Sequence, residues 1–316
     1  ILYSMLKVSK SLSEIAVLRG GKKDFQNSLK EGLEVLQSLT KLGYHPLDVL
    51  IDNEGKWTSK GKPTDAHEIF TKAHTVVDTT RGKGEAYQLL AKKMNIPLLF
   101  SQGNDIHLDR EDMYRILRQQ GIKVPDTYVV RAAAPLKDSL FRDLWTKYHT
   151  PLMVRPLKKT DGAPSRLIKL FSDLEKTIRE YHARGIDTHV LTYKKAPTLS
   201  VALLPKFRNQ KVYTPLWVET FNVHNELPHK ESIVRPHLQA TQLKKDQMKE
   251  LAHKVYKALD LTGPATVDVI HYNNEHVVVN VDVAPSLRKD GRFMQALETT
   301  GVDAGHYIHS RIQDDL

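Results

Sequence analysis

Residues 265–285 read ATVDVIHYNNEHVVVNVDVAP, and this stretch decides the fold of the C-terminal part of the chain. Two apolar runs carry polar residues at alternate positions, which is the pattern of a strand with one buried face. The pair Asn273-Asn274 stands between the runs and predicts a tight turn. We therefore expect a β-hairpin whose strands cover 265–272 and 275–283.

Three oxygen-bearing side chains share one face of this predicted hairpin. Alternate residues of a strand point the same way, so Asn280 and Asp282 lie together and Asp268 on the neighbouring strand joins them. Such groups are costly to bury unless a cation or hydrogen bonds compensate, and Mg²⁺ prefers oxygen ligands together with nucleotide phosphates. The segment is thus either a magnesium site or a half-exposed hairpin with one polar face.

The composition is that of a globular enzyme. A length of 316 residues exceeds the usual single-domain size and favours two or three subdomains around a shared cleft. Hydrophobic residues make up 40% and charged residues 27%, which argues against a disordered chain. The absence of cysteine excludes disulfides and thiolate metal sites, and a cytoplasmic location is expected. Apolar runs such as 96–100 are far shorter than the roughly 20 residues of a membrane helix, so no membrane partner is expected.

The charge balance is strongly basic. Lysine and arginine number 47 against 37 acidic residues, which gives a formal net charge of +10 and attracts phosphate-bearing ligands of any kind. Charge alone does not separate ATP from nucleic acid. The basic residues are scattered and no nucleic-acid-binding motif accompanies them, so nucleic acid is not expected as a partner.

The N-terminal third alternates short apolar runs with helical patterns. Strands alternating with helices predict a parallel, doubly wound sheet that binds ligands at the carboxyl ends of its strands. The predicted strands cover 15–18, 47–51, 75–78 and 96–100, and the predicted helices cover 28–42 and a segment that ends near 95.

The remainder reads as a mixed α+β region. Helices are predicted over 109–120, 173–184 and 244–259, and strands over 124–130, 152–155, 189–193, 198–204 and 212–223. We expect three parts: an N-terminal α/β substrate-binding domain over 1–105, a central lobe over 106–188, and a C-terminal lobe with the metal and catalytic site over 189–316.

The hairpin resembles the metal-binding hairpin of the D-alanine-D-alanine ligases, a family of the ATP-grasp superfamily. That family carries Asp on the first strand and Glu-x-Asn-x-x-Pro on the second. Asp268 matches the Asp and Pro285 matches the Pro, whereas Asn280 stands at the Glu and Asp282 at the Asn. The likeness extends in order over residues 14–312. It implies an α/β chain in which a doubly wound parallel sheet precedes an α+β ATP-grasp fold.

The resemblance also implies substrate-binding and catalytic residues near the N-terminus. The segment 18–28 is similar to the family's first strand and glycine turn. A Glu that holds the substrate amino group stands there at the position of Asp24, so the acidic charge is kept on a shorter side chain. Asp24 and Ser28, which follows in the same motif, are therefore implied as catalytic residues.

Two arginines stand at positions that bind ATP in the family. Arg110 and Arg155 replace the two lysines that contact the ATP phosphates. Arginine keeps the positive charge and adds a planar fork of donors, so the replacement is not neutral. The resemblance implies phosphate binding at both positions.

A third phosphate-binding segment is altered more strongly. Between 156 and 168 the family has a loop rich in glycine and serine that closes over the phosphates with backbone amides. This chain has one glycine and a proline there, and the proline lacks an amide donor. The resemblance implies that Lys158, Lys159 and Ser165 bind the nucleotide, with side-chain charge in place of the cradle.

Two further positions depart from the family. Thr198 and the strand before it lack the carboxylates that hydrogen-bond the nucleoside. Thr266 replaces the Arg that stabilises the tetrahedral oxyanion, and removing such a donor usually costs around 10²–10³ in rate. Arg288 and Arg292, which follow Pro285, are candidates to supply the missing charge, and Arg292 is the catalytic candidate.

Three functions stay open from the sequence. The resemblance implies ATP-dependent ligation of a carboxylate to an amine through an acyl phosphate, with ATP and Mg²⁺ as cofactors. D-alanine is the leading small-molecule substrate, and a homodimer like that of the relatives is open. The second alternative, suggested by the altered positions, is a catalytically impaired relative that binds nucleotide or peptide. The third alternative, which rests on the net charge alone, is a basic nucleic-acid-binding protein.

Overall fold

The computed structural model describes residues 15–22, 24–82, 85–101, 110–148, 150–157, 163–222, 232–236, 240–272 and 274–314. Within these ranges the chain forms three β-sheets with helices packed against them. None of the helices in the described ranges is both long and apolar enough to cross a membrane.

The first sheet is the predicted doubly wound sheet. Its elements in chain order are β1 (Ile15–Gly20), α1 (Phe25–Lys41), β2 (Leu47–Ile51), β3 (Trp57–Ser59), β4 (Lys62–Thr64), α2 (Ala66–Lys72), β5 (Thr75–Asp78), α3 (Ala86–Lys93) and β6 (Leu98–Leu99). The strand order is β4-β3-β2-β1-β5-β6, and β2, β1, β5 and β6 pair in parallel. Ile15 and Val17 pack towards α1, whereas Ala16 and Leu18 belong to the core that includes α2 and α3. Helices therefore cover both faces.

The second sheet is antiparallel and lies in the middle of the chain. Its elements are α4 (Arg110–Gln119), β7 (Thr127–Val130), α5 (Asp138–Lys147), β8 (Leu152–Pro156), β9 (Arg166–Ile168), α6 (Phe171–Ala183) and β10 (Thr188–Thr192). The strand order is β7-β10-β8-β9. Val154 and Val190 are fully buried in a core with α5 and α6, so the neighbouring residues of each strand face the other way.

The third sheet carries the predicted hairpin. Its elements are β11 (Thr198–Phe207), β12 (Gln210–Tyr213), β13 (Val218–Asn222), β14 (Ser232–Pro236), α7 (Gln242–Ala258), β15 (Ala265–Tyr272), β16 (Glu275–Asp282), α8 (Arg292–Glu298) and α9 (Ala304–Asp314). The strands follow the order β14-β13-β11-β15-β16, and β12 pairs with β11. The hairpin of β15 and β16 confirms the prediction for 265–283. The single strand predicted over 212–223 is wrong: β12 and β13 are separate strands, and Pro215, which cannot donate to a strand ladder, lies between them.

The two faces of the third sheet have different roles. Val267 and Val269 of β15 are fully buried in the core beneath α7, so the alternate residues Thr266 and Asp268 point to the opposite face. The β15–β16 pairing shifts between Asp268 and Val269, where Val279 is the extra residue of a β-bulge. The face that carries Asp268 therefore looks away from α7.

Helix α1 buries a different face from the one that its leucines suggest. Leu33 is 46% exposed, whereas Ser28, Glu31, Gly32, Val35 and Leu39 are buried. The face that α1 buries includes a carboxylate with several partners. Glu31 is 2% exposed and accepts hydrogen bonds from the Arg81 guanidinium (3.0 Å), the Ser286 hydroxyl (2.9 Å) and the Leu287 backbone N–H (2.9 Å). It thereby joins the first sheet's helix to the loop after β16.

We predict that Glu31→Gln lowers the free energy of unfolding by about 3 kcal/mol, because it removes the buried carboxylate that pairs with the partly buried Arg81 guanidinium. The midpoint of urea unfolding measures the loss. The matched control is Glu68→Gln, whose carboxylate pairs with Lys72 at 2.8 Å but is 51% exposed. That variant is expected to keep nearly the wild-type midpoint, because an exposed ion pair contributes little to stability. Equal losses for the two variants would contradict a structural role for the Glu31 pair.

Candidate active site

A cleft of about 770 Å³ opens between the second and third sheets and the loop after β16. Seven of the residues predicted for the site line this one cleft: Arg110, Arg155, Ser165, Asp268, Asn280, Asp282 and Arg292. Asp24 and Ser28 do not line it, and Lys158 and Lys159 lie outside the described residues. The fold thus brings together side chains that are up to 182 positions apart, counted from Arg110 to Arg292.

Asp24 and Ser28 occupy the glycine turn beside the cleft. Ser28 is fully buried, and its hydroxyl accepts a hydrogen bond from the Gly20 N–H at 2.8 Å. Asp24 precedes α1 in the left-handed region, at φ 51°, and accepts from the Asn27 side-chain amide at 2.6 Å. In this structure Ser28 shapes the turn, while Asp24 is exposed.

One end of the cleft carries two arginine cations, of which Arg155 is buried and Arg110 is half-buried. Arg155 is 7% exposed, and its guanidinium donates to the Tyr114 hydroxyl at 2.6 Å. Arg110 donates to the Pro156 carbonyl at 3.2 Å. Burial, followed by the charge of Arg155, lowers the pKa of Arg110 to about 10. The Nε–H of each arginine is buried without a hydrogen-bond partner among the described residues. This end of the cleft is therefore suited to a polyanion.

A buried histidine lies beneath these arginines. His189 of β10 stands opposite Arg155 of β8 in the antiparallel ladder and is fully buried. Its ring stacks on Tyr114 with an interplanar angle of 9° and a centroid distance of 6.1 Å. Neither ring nitrogen has a hydrogen-bond partner in the described part of the chain. Burial, aided by the charges of Arg155 and Arg110, lowers the pKa of His189 to about 3, so the imidazole is neutral at physiological pH.

A row of polar side chains crosses three strands at the other end. Ser200, Asp268 and Asn280 stand opposite one another on β11, β15 and β16. Asp268 is 3% exposed. Its Oδ1 accepts from the Ser200 hydroxyl at 2.7 Å and from the Arg292 guanidinium at 2.9 Å, and its Oδ2 accepts from the Asn280 amide at 3.2 Å. Because α8 begins at Arg292, the cation reaches Asp268 from outside the sheet.

Asp282 lies one step along the same face and borders the first sheet. Its Oδ1 accepts from the Ala284 N–H at 3.2 Å, which turns the chain after β16. Burial would lower the pKa of Arg81, but the charges of Glu31 and then Asp282 raise it. Arg81 therefore shares its charge between α1 and the hairpin, which ties the segment that follows β5 to this end of the cleft.

The wall near the end of β10 is mostly aromatic and neutral. Tyr148, Leu191, Tyr193 and Tyr272 line it, and the Lys194 ammonium lies 4.3 Å from the centre of the Tyr272 ring. The hydroxyls of Thr220 and Thr266 are buried in the cleft wall without hydrogen-bond partners among the described residues. Such orphaned groups are suited to the polar edges of an aromatic ligand.

Several residues of the site are not predicted from the sequence. Tyr114 and His189 sit in apolar patterns that suggest core packing only. Ser200 alternates with Thr198 on β11, and this spacing is the signal that places it beside Asp268. Asp126, which lines the cleft and pairs with Lys147 at 3.8 Å, provides a carboxylate just before β7, opposite the end of β10.

The family model and the relatives that match this chain point to the same family. A family model described as the D-ala D-ala ligase C-terminus matches residues 116–313. The chain is 21% identical over 337 aligned positions to the vancomycin/teicoplanin A-type resistance protein VanA of Enterococcus faecium, covering 92% of this chain and 94% of that protein. It is 23% identical over 308 positions to the D-alanine–D-alanine ligase of Francisella tularensis subsp. novicida, covering 95% of this chain and 98% of that protein.

A solved structure shares the fold. The crystal structure of D-alanine–D-alanine ligase from Bacillus anthracis complexed with ATP matches with a TM-score of 0.73 at 16% identity. The match covers 95% of this chain and 96% of that chain. The predicted fold class, a doubly wound sheet followed by an ATP-grasp fold, is confirmed at this level.

We predict that His189→Phe flattens the fall of stability in acid. The folded pKa of His189 is about 3 and an unfolded histidine titrates near 6.5, so the unfolded state takes up the proton first. The contribution of His189 to the free energy of unfolding is fully present above pH 6.5 and is lost as the pH falls towards 3. This one group contributes a slope of up to about 1.4 kcal/mol per pH unit. Urea unfolding between pH 4 and pH 8 measures the slope.

The phenylalanine keeps a ring against Tyr114, and any fixed packing cost shifts the curve without changing its slope. The control is His67→Phe, which removes an exposed imidazole on α2 and is expected to keep the wild-type slope. If His189→Phe kept that slope as well, His189 would not be buried in its neutral form.

Proposed function

The chain belongs to the D-Ala-D-Ala ligase family, and on that premise we propose that it is an ATP-dependent ligase that joins the carboxylate of one amino acid to the amine of another. The observation that carries the proposal is the charge arrangement of the cleft. Two arginines whose Nε–H groups are buried and unused among the described residues face one end, and the Asp268 carboxylate with its arginine partner lies at the other. The arginine end suits a nucleotide polyphosphate, and the end with Asp268 and Arg292 suits the carboxylate that reacts with it.

Arg110 and Arg155 are the proposed phosphate ligands. Both line the cleft, both are largely buried, and each has an unsatisfied Nε–H. Phosphate oxygens would satisfy these donors with charge-assisted hydrogen bonds. The nucleoside would then lie along the wall formed by Tyr148, Tyr193 and Tyr272, where aromatic faces are available. Asp126 is the nearby carboxylate that suits the ribose hydroxyls.

Mg²⁺ fits the donors of the hairpin. Asp268, Asn280 and Asp282 line the cleft with two carboxylates and one amide, and Mg²⁺ is commonly held by one or two carboxylates together with waters and substrate phosphates. Among the residues that the structure describes, no three of His, Cys, Asp and Glu group closely enough to hold a metal. The nucleotide would therefore supply much of the coordination. A bound ion neutralises phosphate charge during phosphoryl transfer.

The proposed reaction has two steps. A carboxylate oxygen of the first amino acid attacks the γ-phosphorus of ATP, the bond to the bridging oxygen breaks, and ADP leaves. The amine of the second amino acid then attacks the carbonyl carbon of the acyl phosphate, loses a proton, and expels inorganic phosphate. Arg110 and Arg155 hold the phosphates, and the closed cleft limits the water that would hydrolyse the acyl phosphate.

Arg292 is the proposed source of positive charge at the carbonyl. Thr266 stands at the family's arginine position, and its hydroxyl is buried without a partner among the described residues. Arg292 reaches this face from α8, where it bonds Asp268 and Ser200. A cation held there would stabilise the oxyanion that forms when the amine attacks.

D-alanine is the proposed amino-acid substrate, because relatives that align over nearly the whole chain are named as D-alanine–D-alanine ligases. Asp24 is proposed to attract the amine. It lies near enough to Arg81 for its charge to raise the pKa of that arginine. Ser28 would act only through the glycine turn that it holds. A cytoplasmic location and a homodimer stay predictions.

One observation favours a second candidate function. Asp268 already carries three hydrogen bonds, one of them from the Arg292 cation. A guanidinium in that place competes with a divalent ion for the same carboxylate. A relative that binds nucleotide without turning it over would use the same cleft, so turnover and binding must be measured separately.

We predict that the wild-type chain releases phosphate from MgATP only when D-alanine is present, and that mass spectrometry detects the dipeptide. Both steps depend on the amino acid, so ATP alone should stay intact. L-alanine is the matched control substrate. Binding of MgATP is followed in parallel as a rise in melting temperature. Binding without phosphate release across a panel of amino acids would end the ligase proposal and favour the second candidate.

We further predict that Asp282→Ala lowers phosphate release by at least about 10²-fold, because it removes one of the two carboxylates proposed to hold Mg²⁺. Excess Mg²⁺ should restore part of the rate. The matched control is Asp246→Ala on α7, on the opposite face of the third sheet, which should keep the wild-type rate. Wild-type turnover by Asp282→Ala would refute the assignment of this residue as a metal ligand.

A further inference from the structure

The β-bulge in the hairpin leaves one backbone carbonyl for a partner outside the sheet. Asp268 pairs with Asn280 and Val269 pairs with Val278, so Val279 has no opposite residue on β15. The Val279 carbonyl accepts a hydrogen bond from the Tyr114 hydroxyl at 2.7 Å. The bulge therefore gives α4 a direct attachment to the strand that carries Asn280 and Asp282.

The same hydroxyl holds a phosphate-binding arginine. Arg155 donates to the Tyr114 oxygen at 2.6 Å. A phenol has a single proton, which goes to the Val279 carbonyl, so its lone pairs are free to accept from the guanidinium. The chain of contacts therefore has one direction, from Arg155 on β8 through Tyr114 on α4 to the backbone of β16.

The position of Tyr114 is fixed from its other side. The residue is fully buried, and its ring stacks on the neutral His189. The Arg155 guanidinium also lies 5.9 Å from the centre of the Tyr114 ring. A core tyrosine needs one hydrogen-bond partner for its hydroxyl. Tyr114 has two, and they belong to different sheets that face each other across the cleft.

We propose that Tyr114 is a positioning residue that aims the Arg155 guanidinium at the nucleotide polyphosphate and fixes its distance from the hairpin bearing Asn280 and Asp282. The proposal rests on the function proposed above, because it assumes that the cleft binds a nucleotide. Arg155 keeps its Nε–H unused among the described residues while its Nη2 is held by Tyr114, so the guanidinium is oriented before a ligand arrives. Loss of the hydroxyl would free the guanidinium and detach the bulge.

The test is a double-mutant cycle on the affinity for MgATP, measured by isothermal titration calorimetry. Tyr114→Phe keeps the ring against His189 and removes only the hydroxyl. It should weaken MgATP binding about tenfold, as expected for the loss of a hydrogen bond to a charged group. In the Arg155→Met background the same change should weaken binding less than about twofold, because the group that it positions is gone.

Tyr256→Phe is the matched control. Tyr256 on α7 is 8% exposed, and its hydroxyl donates to the Gly263 carbonyl at 3.0 Å on the far side of the third sheet. This variant should bind MgATP as the wild type does, even where its melting temperature falls. Wild-type affinity in Tyr114→Phe, or an equal loss with and without Arg155, would overturn the positioning role alone. No MgATP binding by the wild-type chain would overturn the proposed function and this role with it.

Discussion

The buried carboxylate of Asp268 is the constraint around which the cleft is organised. A carboxylate that is 3% exposed must be paired or bonded, and two neighbouring strands and a helix supply its partners: Ser200, Asn280 and Arg292. The register of β11, β15 and β16 follows, since a slip by one residue would turn Asp268 into the core beneath α7. Arg292 begins a helix, where a cation is disfavoured by the helix dipole, and the Asp268 charge offsets that cost.

At the opposite end of the cleft, charged groups keep hydrogen-bond donors without partners in the described part of the chain. The charge at Asp268 is satisfied within the chain, whereas the neighbouring Arg110 and Arg155 each keep a buried, unused Nε–H in the described part of the structure. Burial of unpaired cations is unfavourable unless a ligand completes them. The lowered pKa values of Arg110 and His189 have the same causes, which are burial first and the charges of neighbouring arginines second. A site in this condition gains stability when a polyanion binds.

The sequence predicts the architecture better than the contacts. Strand alternation and the 265–285 pattern are local signals, and the structure confirms the parallel sheet and the hairpin. Resemblance to a family finds the cleft residues that keep their motif positions, such as Arg155 and Asp268. Contacts set by tertiary packing are not readable in this way: α1 turns to bury Glu31 rather than Leu33, and Tyr114 looks like an ordinary core residue. The domain boundaries at 105/106 and 188/189 stay predictions, and residues 188–192 pair within the second sheet.

The cation at the Asp268 end of the cleft comes from a helix and not from the sheet, so different contacts fix its position. An arginine on β15 would be fixed by the sheet itself, but Thr266 occupies that place and the cation comes from α8. The loop that leads to α8 is held by Glu31, which bonds Ser286 and the Leu287 backbone while pairing with Arg81 of the first sheet. The first sheet therefore helps to set where Arg292 stands. A ligand that contacts Arg81 would act on the same contacts, so the N-terminal part of this chain is physically joined to the cation proposed to stabilise the amine attack.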